Sequence, residues 1–142
     1  LDGDAEHYME FEINPLNAVW DLYLPKAYNK GGKADHSWDF DGIRHAVQVD
    51  GTVNCADDVD RGWTVEVAFP WQSLKWLADG RCLPGREGDV WRMDLSRFQW
   101  FTGAGGSRVC PGWAFNTHGV HDSHIPERFT YIHLSETEVG KR

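Results

Sequence analysis

Apolar and polar side chains alternate along several stretches of the chain. In residues 7–14, Met9, Phe11 and Ile13 fall on one side and Tyr8, Glu10, Glu12 and Asn14 on the other, the period-two pattern of a half-buried strand. Pro15, Leu16 and Asn17 break it. Residues 18–24 then place Trp20, Leu22 and Leu24 on one side and Asp21 and Tyr23 on the other, so the two segments are expected to pair as a hairpin. Residues 25–42 are rich in Lys, Gly, Asp and Asn and read as a long surface loop carrying Trp38; loops of this length are often functional.

Strands are expected again over residues 43–49, with a turn at Asp50 and Gly51, and over 63–69, 90–100, 113–116 and 128–135, with 103–107 a flexible loop. Between Pro70 and Leu77, Trp71 and Leu74 recur at near-helical spacing ahead of Gly80, which predicts one short helix. Seven strands, one helix and no internal repeat predict an all-β fold, an antiparallel β-sandwich with jelly-roll character. Residues 1–135 form its single domain and 136–142 a polar C-terminal tail.

Length and charge narrow the class. A chain of 142 residues suits one core, and a net charge of -8 argues against a nucleic-acid surface, which needs clustered Lys and Arg. No uncharged apolar run approaches the roughly 20 residues that span a bilayer, so no membrane partner is expected. The opening Leu1-Asp2-Gly3-Asp4 has neither an initiator Met nor a signal-peptide layout, which reads as a processed or cut chain. Eight Trp, four Tyr and seven Phe exceed what one small core readily absorbs, so about 60% of the Trp are expected in the core and the others against a ligand. Flat indole faces pack on pyranose C–H groups while Asn, Asp and Glu bond the hydroxyls, which suits a sugar binder. Cys55, Cys82 and Cys110 lack C-x-x-C spacing; in a secreted protein Cys82 with Cys110 is the expected disulfide, and otherwise all three are reduced.

Chemistry-bearing residues fall into three groups. Glu10 and Glu12 lie two apart on one strand face, with Asp21, Glu66 and Asp94 as expected neighbours, so a carboxylate pair at glycosidase-like spacing competes with a solvated face ion-paired to Arg92. His118, His121 and His124 recur every third residue in a stretch too broken for a helix, and converge either as imidazole ligands for zinc or copper or as ordinary loop histidines. Asp2, Asp4, Asp57, Asp58 and Asp60 offer oxygen ligands for calcium, the metal favoured over copper and zinc. No G-x-S-x-G elbow, H-E-x-x-H helix or phosphate loop occurs.

The run Asp60-Arg61-Gly62-Trp63-Thr64-Val65-Glu66-Val67-Ala68-Phe69-Pro70-Trp71 and the closing His124-Ile125-Pro126-Glu127-Arg128-Phe129-Thr130-Tyr131-Ile132, with residues 8–14 and 89–94, resemble in order and spacing the family 9 carbohydrate-binding modules and their bacterial family 9-like relatives. The wider DOMON-like group to which these are related includes haem binders; haem needs an axial Met or His pair, and Met9 falls on the expected core face. The resemblance implies a β-sandwich, secreted or periplasmic, that accompanies polysaccharide-degrading enzymes. It is N-terminally short, because the family's opening strands would precede Leu1, and the pair of Trp that clamps a terminal sugar is lost: one lies upstream and the other aligns near Ser123. Asn14 matches a sugar-bonding Asn, while Glu12 stands where sugar-binding members carry a basic residue.

The function expected from sequence is therefore non-catalytic binding of plant polysaccharide, xylan or cellulose and other glucans, or of its ends. The expected ligand residues are Trp38 presented beside Asn14 and Glu12, with Tyr8 and Asp94. The alternatives are a small metalloenzyme built on His118, His121 and His124, and a structural interaction domain. A sandwich without its opening strands leaves an open edge, which is expected to be covered in a homodimer.

Overall fold

The structure is a computed structural model and describes residues 5–138. Asp2, Asp4 and the last four residues of the tail lie outside the described residues. The fold is all-β, and every strand pair is antiparallel. Strands β1 (Tyr8–Ile13) and β2 (Val19–Leu24) form the expected hairpin, with Tyr8 opposite Leu24 and Ile13 opposite Val19. Asn14 shapes the connection, its side-chain oxygen accepting from the backbone N–H groups of Leu16 and Ala18.

This hairpin is covered on both faces. Met9 joins a core with Phe40, Leu74, Leu77, Ala78 and Trp91, against which Phe11, Tyr23 and Trp38 pack. Tyr8 lies on the other face with Leu22, Leu24, Ala27 and Phe129 in a second core. The expectation that Tyr8 sits on a solvent-facing polar face is thus corrected: Tyr8 is 2% exposed, because Leu22 and Leu24 put an apolar stripe directly beside it. The loop after β2 turns back to bridge Tyr23 with Asp35 through two backbone hydrogen bonds, which covers part of the β2 edge.

Strands β3 (Arg44–Asp50) and β4 (Gly62–Ala68) form the most regular pair. Their connection is tied by Asp60, which accepts from the Thr52 N–H, and by Asp58, which accepts from the Thr52 hydroxyl. The predicted helix is present as a 3-10 helix, Trp71–Leu77. Its two buried side chains, Leu74 and Leu77, are three apart, the spacing at which a 3-10 helix repeats. Burying each contributes about 1.5–3 kcal/mol.

The long strand expected over 90–100 is divided. β5 (Val90–Met93) pairs with β10 (Thr130–His133), whereas β6 (Ser96–Phe98) and β7 (Phe101–Thr102) pair with β9 (Gly112–Ala114) and β8 (Arg108–Val109). The last two pairs share one constant register around the 103–107 turn and form a single long hairpin. Its ladder is interrupted where the Gln99 N–H donates to the Pro111 carbonyl, since Pro111 has no N–H with which to reciprocate. The three cysteines are free, so the expected Cys82–Cys110 bridge is absent: Cys82 adjoins Leu83, which packs on the first core, while Cys110 sits across the long hairpin.

Candidate functional site

The base of the long hairpin builds a cleft. Ser96 lies opposite Ala114 and Phe98 opposite Gly112, so these four residues share one face of the ladder. Glycine at 112 is what lets the Phe98 ring lie over the neighbouring strand, because a Cβ there would stand 2.7 Å from Phe98 Cε1. Residues 118–124 form the facing wall with His118, Val120, His121, Asp122, Ser123 and His124, and Trp113 also lines the cleft, whose volume is about 310 Å³. His121 meets Phe98 edge-on, with ring centroids 6.3 Å apart.

Asp122 organises that wall. Its carbonyl accepts from His118 Nδ1 at 2.7 Å, and its carboxylate accepts from the His124 N–H at 2.8 Å. A carbonyl oxygen only accepts, so Nδ1 carries a proton and His118 Nε2 faces Asp94 Oδ1 at 3.5 Å. Both side chains are more than nine-tenths buried, and neither of the two facing atoms has a hydrogen-bond partner. The other Asp94 oxygen accepts from the Ser96 hydroxyl, at the point where the chain passes from β5 to β6.

A second polar group lies on the Tyr8 side of the β1–β2 hairpin. His124 Nδ1 is hydrogen-bonded to the Tyr8 hydroxyl at 2.9 Å, stands 3.7 Å from Glu10 Oε2 and meets the Tyr28 ring edge-on. Burial, reinforced by the charge of Glu12 and a hydrogen bond from it, pushes the Glu10 carboxyl up to about 7. Burial pushes the His124 imidazole below its usual range, opposed by the charges of Asp122 and Glu12. The Tyr28 phenol is raised by burial and by Glu10.

Of the residues expected from sequence, the structure brings His118, His121 and His124 to one cleft, with Asp94 behind it and Tyr8 behind His124. Among the described residues, no three His, Cys, Asp or Glu side chains gather where they could hold a metal ion. Trp38 does not stand beside Asn14 and Glu12. It packs on Tyr23 and Phe40, and Tyr23 is opposite Met9, five residues and roughly 16 Å along the strand from Asn14. Glu12 is exposed opposite Trp20. Asp21 points to the opposite face from Glu10 and accepts from the Phe40 N–H, and Glu66 lies on the separate β3–β4 pair, so of the carboxylates considered only Glu10 and Glu12 come together.

Sequence reasoning missed Phe98 and Trp113, and it misjudged where the aromatic excess goes. Trp91 alone among the eight Trp is buried, Trp38 and Trp63 are half-buried, and Trp20, Trp71, Trp76, Trp100 and Trp113 are exposed. Apolar alternation over residues 96–102 could have located Phe98 and Trp100 on one face, had the Gly-rich turn been read as the end of a hairpin. Compared with protein-family models, curated proteins and solved structures, the chain matches none.

Proposed function

We propose that the cleft between the long hairpin and residues 118–124 binds carbohydrate without transforming it, and that the ligand is a plant polysaccharide of the xylan or glucan type, or its ends. The observation that carries this is the pairing, in one cleft, of the exposed Phe98 ring and the His121 ring that meets it edge-on with the polar groups of Ser96, Asp122 and Ser123. Aromatic faces take the apolar side of a pyranose, and the polar groups take its hydroxyls. The volume is at the lower end of ligand pockets, about 300–1,000 Å³, which suits one or two sugar rings. Resemblance to family 9-like modules supports the same reading and a secreted or periplasmic setting. A homodimer belongs to the proposal too, with Phe101 and Val109, exposed on the hairpin face away from the cleft, as the apolar surface it would cover.

The test is calorimetric titration with xylo- and cello-oligosaccharides. A dissociation constant between micromolar and millimolar is expected, about -4 to -8 kcal/mol, and Phe98→Ala should weaken it about tenfold or more. Heat indistinguishable from buffer for every glycan at millimolar concentration refutes the proposal.

One observation favours a second reading, a metal-dependent enzyme acting on the same glycans: the unpartnered Asp94 Oδ1 and His118 Nε2 are spaced like two ligands of a tetrahedral zinc ion, about 3.4 Å for bonds near 2.1 Å. Titration of the metal-free protein with zinc and with copper, repeated on His118→Ala, decides it.

A further inference from the structure

The cleft face of the long hairpin continues toward its tip. Because β6 and β7 keep one register with their partners, the positions that share a side with Ser96 and Phe98 toward the tip are Trp100 and Thr102, and across the ladder Cys110 and Arg108. Phe98 and Trp100 therefore lie roughly 7 Å apart along one strand, successive platforms on one face. Both are more than half exposed. The Arg108 guanidinium stands over the Trp100 ring, 4.5 Å from its centroid. Stacking holds the planar fork in place while leaving its N–H edges free, the geometry that takes a carboxylate through two parallel hydrogen bonds.

Charge singles out the same place. From Leu95 to His121 the sequence contains no Asp or Glu, and its only formal charges are Arg97 and Arg108, in a chain whose net charge is -8. Neither arginine has a carboxylate partner among the described residues. An acidic protein repels polyanions over most of its surface, so an acid-free, aromatic, arginine-bearing strip is where one could settle.

We infer that the sugar cleft extends along this face to a second subsite at Trp100 and Arg108, and that this subsite takes a uronate, so that the ligand class is an acidic polysaccharide carrying glucuronic or galacturonic acid units. The inference rests on the carbohydrate reading of the cleft and adds to it the charge and length of the glycan. Trp100 stacks the ring of the acidic sugar, Arg108 binds its carboxylate, and Phe98 holds the neighbouring unit.

The experiment titrates wild type, Arg108→Gln and Trp100→Ala with a neutral xylo-oligosaccharide and with one of equal length bearing a glucuronic acid branch, at 20 mM and 500 mM salt. The acidic ligand is expected to bind wild type about tenfold more tightly than the neutral one at low salt, and to lose that advantage at high salt and in Arg108→Gln. Trp100→Ala should weaken the acidic ligand and leave a monosaccharide unaffected. Equal affinity for the two ligands, or an advantage that survives Arg108→Gln, overturns the subsite while leaving the cleft standing. Absence of binding by either ligand overturns both.

Discussion

His118 Nε2 and Asp94 Oδ1 face each other across 3.5 Å, both buried and neither hydrogen-bonded. With the Nδ1 proton given to the Asp122 carbonyl, an Nε2 without a proton sets two acceptors face to face, whereas an Nε2 with one makes the pair an imidazolium and a carboxylate. Asp94→Asn supplies a donor of the same shape and is expected to stabilise the protein by about 1 kcal/mol in urea unfolding at neutral pH. A loss of stability would show instead that the pair is an imidazolium and a carboxylate. In that case His118→Ala, which leaves the carboxylate buried alone, should cost about 3 kcal/mol.

Glu10 gives stability a pH dependence of definite sign. Its carboxyl titrates near 4.5 in the unfolded chain and about 7 in the folded one, so the folded state binds the extra proton between those values. The protonated form suits the fold: its contribution is fully present below pH 4.5 and is lost as pH rises through 7. Glu10→Gln removes the titration, and unfolding curves from pH 4 to 8 should show the variant no more stable than wild type at pH 4 and up to about 3 kcal/mol more stable at pH 8. A constant difference across the range would sink this account.

Gly112 tests the cleft wall separately from the core. A methyl group at this position displaces the exposed Phe98 ring, which has room to turn, so Gly112→Ala should change stability by less than about 1 kcal/mol while weakening oligosaccharide binding about tenfold. Thermal melting and calorimetry on the same sample separate the two effects. Unchanged affinity would show that the position of Phe98 does not matter to the ligand.

The thiols report on the hairpin. Cys55 and Cys82 are exposed and Cys110 is half-buried, so an aromatic disulfide reagent should modify two thiols rapidly and the third more slowly in the native protein. All three should react together in urea. Only one reactive thiol after denaturation without reductant would reveal a disulfide.

How much of this was legible in the sequence depends on the residue. The strands around Phe11, Leu22, Val47 and Val65 followed from alternation, because a period of two is imposed by the pleat itself. Alternation distinguishes two faces without saying whether both are covered. Tyr8 and Glu10 therefore read as solvent-facing, although Leu22, Leu24 and Phe129 close over that side. The division at Asp94 was hidden for another reason: residues 90–100 are uniformly strand-like, and only their partners differ. His118, His121 and His124 were found by spacing, since short steps in a loop keep side chains near one another. Trp38 was misplaced beside Asn14 because the path of an 18-residue loop is set by packing on Tyr23 and Phe40, not by local pattern.

Every strand pair except β5 with β10 joins segments that are linked by at most eleven residues or nested within one hairpin. β5 with β10 encloses residues 94–129, the stretch that contains the whole cleft. Local pairs close at little entropic cost, whereas this one must draw together the ends of a long intervening chain, so it should form late in folding. Both walls of the cleft lie within the enclosed stretch, and the 118–124 wall is held by Asp94 at its start and by Tyr8 beyond it, so the cleft takes its final shape only when that closure is complete. Ligand binding, followed in a refolding experiment, should accordingly appear in the slowest phase, after the hairpins have acquired their backbone signal.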